Sequence, residues 1–194
     1  ELLRQNLVQL KKQFVFTSAT FFHTFFKEHS VKESSESTNT LPYEIVVVYV
    51  EKGTAQLFEQ RIEKLGSTYV ALVEPELRDF ELLSNKANFK EFIVIRENAY
   101  FYSSKDHCAS LEKAFVDLYF EITRQKLPLP DKLVPILTEL MQHNRINFTT
   151  LLKCAHERGI KQEFLELLRS ITKQSGLQPK GLPLESTKNG GVTV

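Results

Sequence analysis

The first half of the chain carries short apolar runs with the composition and spacing of β-strands. Residues 14–16 and 68–73 are rich in Val and aromatic side chains, and residues 43–50 form a nearly unbroken β-branched run, typical of a central strand covered on both faces. Residues 92–95 and 99–101 predict a hairpin, because a turn-prone Glu-Asn pair separates them. We therefore expect a mixed sheet of about four strands.

Apolar residues at helical spacing occupy the intervals between these runs. Amphipathic helices are expected over 2–10 and 77–83, and a further helix is expected to end at Gly66. That helix is expected to turn four apolar residues inward: Leu57, Phe58, Ile62 and Leu65. Residues 32–40 have no apolar period, so the sequence predicts an exposed loop there. Strands separated by helices favour a partly parallel sheet.

From Ser110 onward the pattern is helical throughout. Four apolar stripes at helical spacing follow one another, with a Pro-rich break at 127–130 after the first. Asn147 is a favourable N-cap for the third helix, and Gly159 can end it. The sequence thus predicts an α+β protein with a mixed α/β unit over 1–109, a helical lobe packed on it over 110–174, and a flexible tail over 175–194.

Composition excludes several classes of protein. The 194 residues include 25 Lys and Arg against 24 Asp and Glu, so the chain as a whole has no polyanion-binding charge. The longest central apolar run is far shorter than the roughly 20 residues of a membrane span, so no membrane partner is expected. Cys108 and Cys154 match no metal-binding spacing, which indicates reduced thiols in a cytoplasmic protein. The chain begins with Glu1 rather than Met, so we expect upstream residues in the natural protein.

A metal-dependent nuclease is the enzymatic alternative. Such a site needs carboxylates and a lysine that converge on a metal and a water. The candidates are Glu44, Glu51, Lys52 and Glu74 at strand edges. Glu51 and Lys52 are neighbours, so on a strand they point to opposite faces. We expect no catalytic residues, no metal site and no cofactor.

The helical half holds the polar residues of greatest interest. Glu112 is expected to interact with the N-terminus of its own helix, and Asp117 to pair with Lys153 or Arg158 of the third helix. His156 and Arg158 belong to a local concentration of positive charge that suggests either a solvated face or a phosphate-contacting edge. The candidate structural and interaction residues are Glu112, Lys113, Asp117, Asn147, Lys153, His156 and Arg158.

Four segments resemble a known family in their order and spacing. They are a Ser- or Thr-capped segment over 18–29, the central strand and following helix with the Val-Glu-Pro-Glu of 73–76, the Leu-Glu-Lys and Val-Asp pairs of 111–117, and a closing helix over 146–159. The chain resembles the C-terminal domain of AbiEi-type antitoxins and transcriptional regulators, which belong to type IV toxin–antitoxin and phage-abortive systems. Lys153-Cys154 and Glu157 depart from the Arg-Tyr and Arg residues that the family usually has there.

The resemblance implies a non-catalytic antitoxin-like domain that binds a partner protein, a nucleotidyltransferase-like toxin encoded beside it. It also implies that the domain assists DNA binding, with DNA contacted through a winged-helix domain that this chain does not show. A third hypothesis is a structural subunit of a defence assembly. That hypothesis uses an interface of phenylalanines in a helix capped by Ser18 or Thr20: Phe21, Phe22, Phe25 and Phe26.

Overall fold

The computed structural model describes residues 2–18, 44–66, 69–84, 91–127, 133–177 and 181–182. Its helices are α1 (Leu2–Val8), α2 (Ala55–Glu63), α3 (Leu77–Ser84), α4 (Leu111–Thr123), α5 (Leu133–Gln142), α6 (Phe148–Glu157) and α7 (Lys161–Ser175). Its strands are β1 (Phe14–Ser18), β2 (Glu44–Glu51), β3 (Tyr69–Val73), β4 (Glu91–Asn98), β5 (Ser104–Lys105) and β6 (Cys108–Ala109). The predicted α+β class is confirmed. The phenylalanine-rich helix and the 32–40 loop lie outside the described residues.

The six strands form one mixed sheet in the order β3-β4-β2-β1-β6-β5. β2, β4 and β3 are parallel, whereas β1 is antiparallel to β2. β2 is the predicted central strand, and it is covered on both faces because its alternate side chains enter two different clusters. Val48 and Val50 pack with α1 and α2, whereas Val47 and Tyr49 face the other side. The sheet exceeds the expected four strands by β5 and β6, which are two residues each and carry no strand-length pattern.

The predicted hairpin over 92–101 is wrong. Glu91–Asn98 is one continuous strand, paired along its whole length with β2. The Asn98 side chain ends it, because Oδ1 accepts hydrogen bonds from the amides of Ala99 and Tyr100 while Nδ2 donates to the carbonyl of Tyr100. Such local side-chain bonds offer the backbone an alternative to the ladder. The Glu-Asn pair therefore does mark a turn, but this turn ends a strand and does not join two strands of a hairpin.

One inward residue of α2 was also predicted wrongly. Phe58 and Ile62 are fully buried, whereas Leu57 is 42% exposed. Leu57 precedes Phe58 and is rotated from it by about 100° around the helix, which takes it off the buried face.

The helical lobe packs on the sheet through α4. One apolar cluster joins α4 to α5, α6 and α7 and includes Val15 of β1 and Ala109 of β6. The predicted N-cap of α6 is confirmed at Asn147. Ser110 caps α4, since its Oγ accepts from the Lys113 amide. No helix in the described part of the chain is both long and apolar enough to cross a membrane.

Candidate functional site: a buried charge network between sheet and lobe

The carboxyl ends of the parallel strands bring polar side chains together. Tyr49 lies near the end of β2, Arg96 near the end of β4, and Glu74 directly after β3. Because β2 and β3 lie on either side of β4 and are parallel to it, the carboxyl ends of all three strands meet at one edge of the sheet. This edge is where open α/β sheets bind ligands. α4 covers it and contributes Glu121.

Glu121 and Arg96 form the sheet side of the network. The Tyr49 hydroxyl donates to Glu121 Oε1 at 2.8 Å, and Arg96 Nε donates to Glu121 Oε2 at 3.1 Å. Arg96 also donates to Glu74 Oε2 at 3.0 Å and to the Pro75 carbonyl at 3.3 Å. Arg96 is 5% exposed and Glu121 only 1%, so both charges depend on these partners.

Asp117 is the centre of the lobe side. Its Oδ1 accepts from Arg158 Nε at 2.7 Å, and the Lys113 ammonium lies 2.9 Å from Oδ2, one helical turn away on α4. The latter contact is an ion pair that is not aligned for a hydrogen bond. The Arg158 guanidinium also lies 4.2 Å from the centroid of the Tyr49 ring. Tyr49 therefore contacts both sides of the network, which spans the boundary between sheet and lobe.

Burial controls how these groups titrate. Burial raises the pKa of Tyr49 well above its ordinary value, and the nearby charges of Asp117 and Glu121 raise it further, so the phenol is a neutral donor. Burial also raises the pKa of Glu121, although Arg96 and the bond from Tyr49 oppose the shift. Neither group has the solvent access that exchange of protons with a substrate requires.

The network is balanced in formal charge. Each of its three carboxylates and three cations is in contact with an opposite charge. Arg96 contacts Glu74 and Glu121. Lys113 and Arg158 both contact Asp117. Among the described residues, no group of three His, Cys, Asp or Glu side chains is arranged to hold a metal ion. Breaking a buried ion pair strongly destabilises a fold, so this arrangement is suited to fix the helical lobe on the sheet.

The seven predicted residues fall into two groups. Glu112, Lys113, Asp117, Asn147 and Arg158 make contacts within the lobe. Glu112 Oε1 accepts from the Asn147 amide at 3.0 Å, while Asn147 Oδ1 accepts from the Thr150 amide at 3.1 Å. Glu112 thus joins α4 to the N-terminus of α6, in addition to its own position in the first turn of α4.

The other two predicted residues, Lys153 and His156, are exposed on α6. Of the two partners expected for Asp117, the structure places Arg158 against it. Lys153 instead lies over the ring of Tyr102, with its Nζ 3.6 Å from the centroid. The basic concentration expected from the sequence is therefore divided, because Arg158 turns inward.

The residues considered for a nuclease do not converge. Glu44 opens β2 and Glu51 closes it, so the two lie about 23 Å apart at 3.3 Å per residue. Glu51 and Lys52 are exposed, and Glu74 is bound to Arg96 and to the Glu97 amide. The four residues do not form the arrangement that a metal-dependent nuclease needs.

Tyr49, Arg96 and Glu121 were not predicted as site residues. A signal for Glu121 was present, because Lys113, Asp117 and Glu121 are spaced by four residues and so lie on one face of α4. Arg96 was also visible as a charge within an apolar strand. Their pairing depends on the order of the strands, which no local pattern gives.

The sequence matches no protein-family model at a significant level, no curated protein matches it, and no solved structure matches its fold.

Proposed function

We propose that the chain is a non-catalytic regulatory domain of AbiEi antitoxin type, which acts by binding a partner protein. The partner is a nucleotidyltransferase-like toxin, and the setting is a phage-defence or toxin–antitoxin system. Any assistance to DNA binding comes together with a DNA-binding domain outside this chain.

The burial of the Asp117 carboxylate between Lys113 and Arg158 carries this proposal. These three residues belong to the motifs on which the resemblance depends. They are in contact with one another rather than with an open cleft, and Asp117 is 1% exposed. Residues of this kind that hold helices together support a binding domain better than an enzyme, because a catalytic group needs access to its substrate.

A rigid connection between lobe and sheet also suits a protein-binding role. Interfaces between pre-organised partners change little on association. The network joins α4 and α6 to β2 and β4 through buried hydrogen bonds, which oppose movement of the lobe relative to the sheet. A partner that touches both surfaces would then bind without the cost of ordering them.

Neutralisation of toxicity tests the proposal. The nucleotidyltransferase-like protein encoded beside this chain would be expressed under an inducible promoter, with and without the full chain. We expect growth to be restored by the wild type and by Lys126→Ala, an exposed control, but not by Leu118→Asp, which places a charge at a fully buried position. Growth arrest that persists in the presence of the folded wild type would contradict the proposal.

A further inference from the structure

The exposed face of α6 borders a groove. A cavity of about 440 Å³ is lined by Thr149, Leu152, Lys153, His156, Lys161 and Gly181. The first four are spaced by three, four and seven residues, so they lie on one side of the helix. An adjoining cavity of about 390 Å³ shares Thr149 and Gly181 and extends the groove past the N-terminus of α6.

The charge of this groove is one-sided. Lys153, His156 and Lys161 line the first cavity, and none of its lining residues, all within the described part of the chain, is acidic. The adjoining cavity adds Arg145 and one carboxylate, Glu112, which already accepts a backbone hydrogen bond. The chain as a whole is nearly neutral, so the groove is a local concentration of positive charge.

Two helix N-termini add to that charge. Thr149 lies in the first turn of α6, and Lys161 is the first residue of α7. Ile160 is the N-cap of α7 and supplies no side-chain cap bond. Helix N-termini carry a partial positive charge and free amides that favour anions. The groove thus combines basic side chains with favourable backbone dipoles.

An exposed aromatic ring lies beside the groove. The Lys153 ammonium rests 3.6 Å from the centroid of the Tyr102 ring, which restricts where Lys153 can lie. Tyr102 is 37% exposed. A basic groove next to an aromatic ring is the arrangement that binds single strands, because phosphates follow the cations while a base stacks on the ring.

We propose that this groove binds the backbone of a single-stranded nucleic acid, with Lys153, His156 and Lys161 as phosphate contacts and Tyr102 as a stacking surface. This inference goes beyond the proposed function, because it requires no partner protein. It is also independent of the buried network, since Arg158 faces Asp117 and not the groove.

Fluorescence anisotropy with a short fluorescein-labelled oligothymidylate and the full chain tests the inference. We expect the double variant Lys153→Glu/Lys161→Glu to bind at least about tenfold more weakly at low salt and to reduce the slope of log K against log salt by about 1.4, from two lost contacts. The control Lys52→Glu/Lys64→Glu makes the same change in net charge at two exposed positions, one before α2 and one after it. This control should bind the oligonucleotide like the wild type. Tyr102→Ala, which leaves the charges intact, should weaken binding without changing the salt slope.

Several results would overturn the inference. One is a wild type that binds the oligonucleotide no better than Lys153→Glu/Lys161→Glu does. Another is an equal loss in both double variants, which would indicate non-specific attraction. Tighter binding of a polyglutamate peptide than of the oligonucleotide would assign the groove to an acidic protein segment instead. None of these results depends on toxin neutralisation, so this inference and the proposed function can fail separately.

Discussion

Arg158 donates from Nε to Asp117 Oδ1 at 2.7 Å and thereby ties the C-terminal end of α6 to the middle of α4. The same guanidinium stacks over the ring of Tyr49, which belongs to the central strand. The Arg158 side chain therefore connects α4 and α6 to each other and both helices to the sheet. The proposed binding domain depends on this connection to hold the lobe against the sheet.

Loss of either partner should destabilise the fold strongly. Asp117→Asn should lower the free energy of unfolding by about 3–5 kcal/mol, because it leaves two buried cations without their carboxylate. Arg158→Ala should cost somewhat less, because Asp117 keeps its ion pair with Lys113. The double variant should cost less than the sum of the two. Urea unfolding at neutral pH measures these values.

Arg124→Ala provides the matched control. Arg124 pairs with Glu163 at the surface, where the arginine side chain is 56% exposed, so its loss should cost less than about 1 kcal/mol. Equal costs for Arg124→Ala and Arg158→Ala would contradict the structural role of the buried pair.

Glu121 should make stability depend on pH. Burial raises the pKa of Glu121 in the folded state, so just above the ordinary value of 4.5 the folded protein binds more protons than the unfolded chain. The contribution of Glu121 to the free energy of unfolding must then fall as pH rises through that interval. Glu121→Gln cannot titrate, so the stability of the wild type minus that of this variant should decrease with rising pH. A difference that stays constant or increases would show that the pKa of Glu121 is not raised.

The N-cap of α6 should contribute less to the free energy of unfolding than the pair of Asp117 and Arg158 does. Asn147→Ala removes the acceptor for the Thr150 amide and should lower the free energy of unfolding by about 1 kcal/mol. Asn147→Asp keeps an acceptor at the same position and should retain most of the stability. Thermal unfolding followed by circular dichroism compares the two. Identical melting temperatures for them would mean that the cap bond contributes nothing.

The chain should not cut nucleic acid. The carboxylates considered for a nuclease are apart, and Glu74 is bound to Arg96, so plasmid DNA incubated with the chain and Mg²⁺ or Mn²⁺ should remain intact. Glu51→Gln/Glu74→Gln should behave like the wild type in this assay. Metal-dependent cleavage that disappears in this double variant would contradict a non-catalytic domain.

The sequence pattern predicted those parts of the fold that depend on interactions between residues close in sequence. The β-branched run of β2 needs cover on both faces, and the cap at Asn147 needs only a side-chain acceptor at the right position. The hairpin prediction failed at Asn98, because the same residue type favours a turn between strands and a turn that ends one.

The candidate site was predicted only in part for a similar reason. Asp117 and Arg158 lie on helices whose periodicity was clear, so their pairing could be expected. Arg96 reaches Glu121 only because β4 lies between β3 and β2, an order that follows from crossover connections and not from spacing. Contacts that depend on the order of the strands, such as that of Arg96 with Glu121, could therefore not be predicted from the sequence.

Partner binding is tested by a pull-down of the full chain from its native cells, followed by mass spectrometry that measures the molar ratio of each recovered protein to the chain. We predict that a nucleotidyltransferase-like protein encoded beside it is recovered in a stoichiometric amount. A chain that is recovered folded but without any stoichiometric protein would contradict the account of a partner-binding domain.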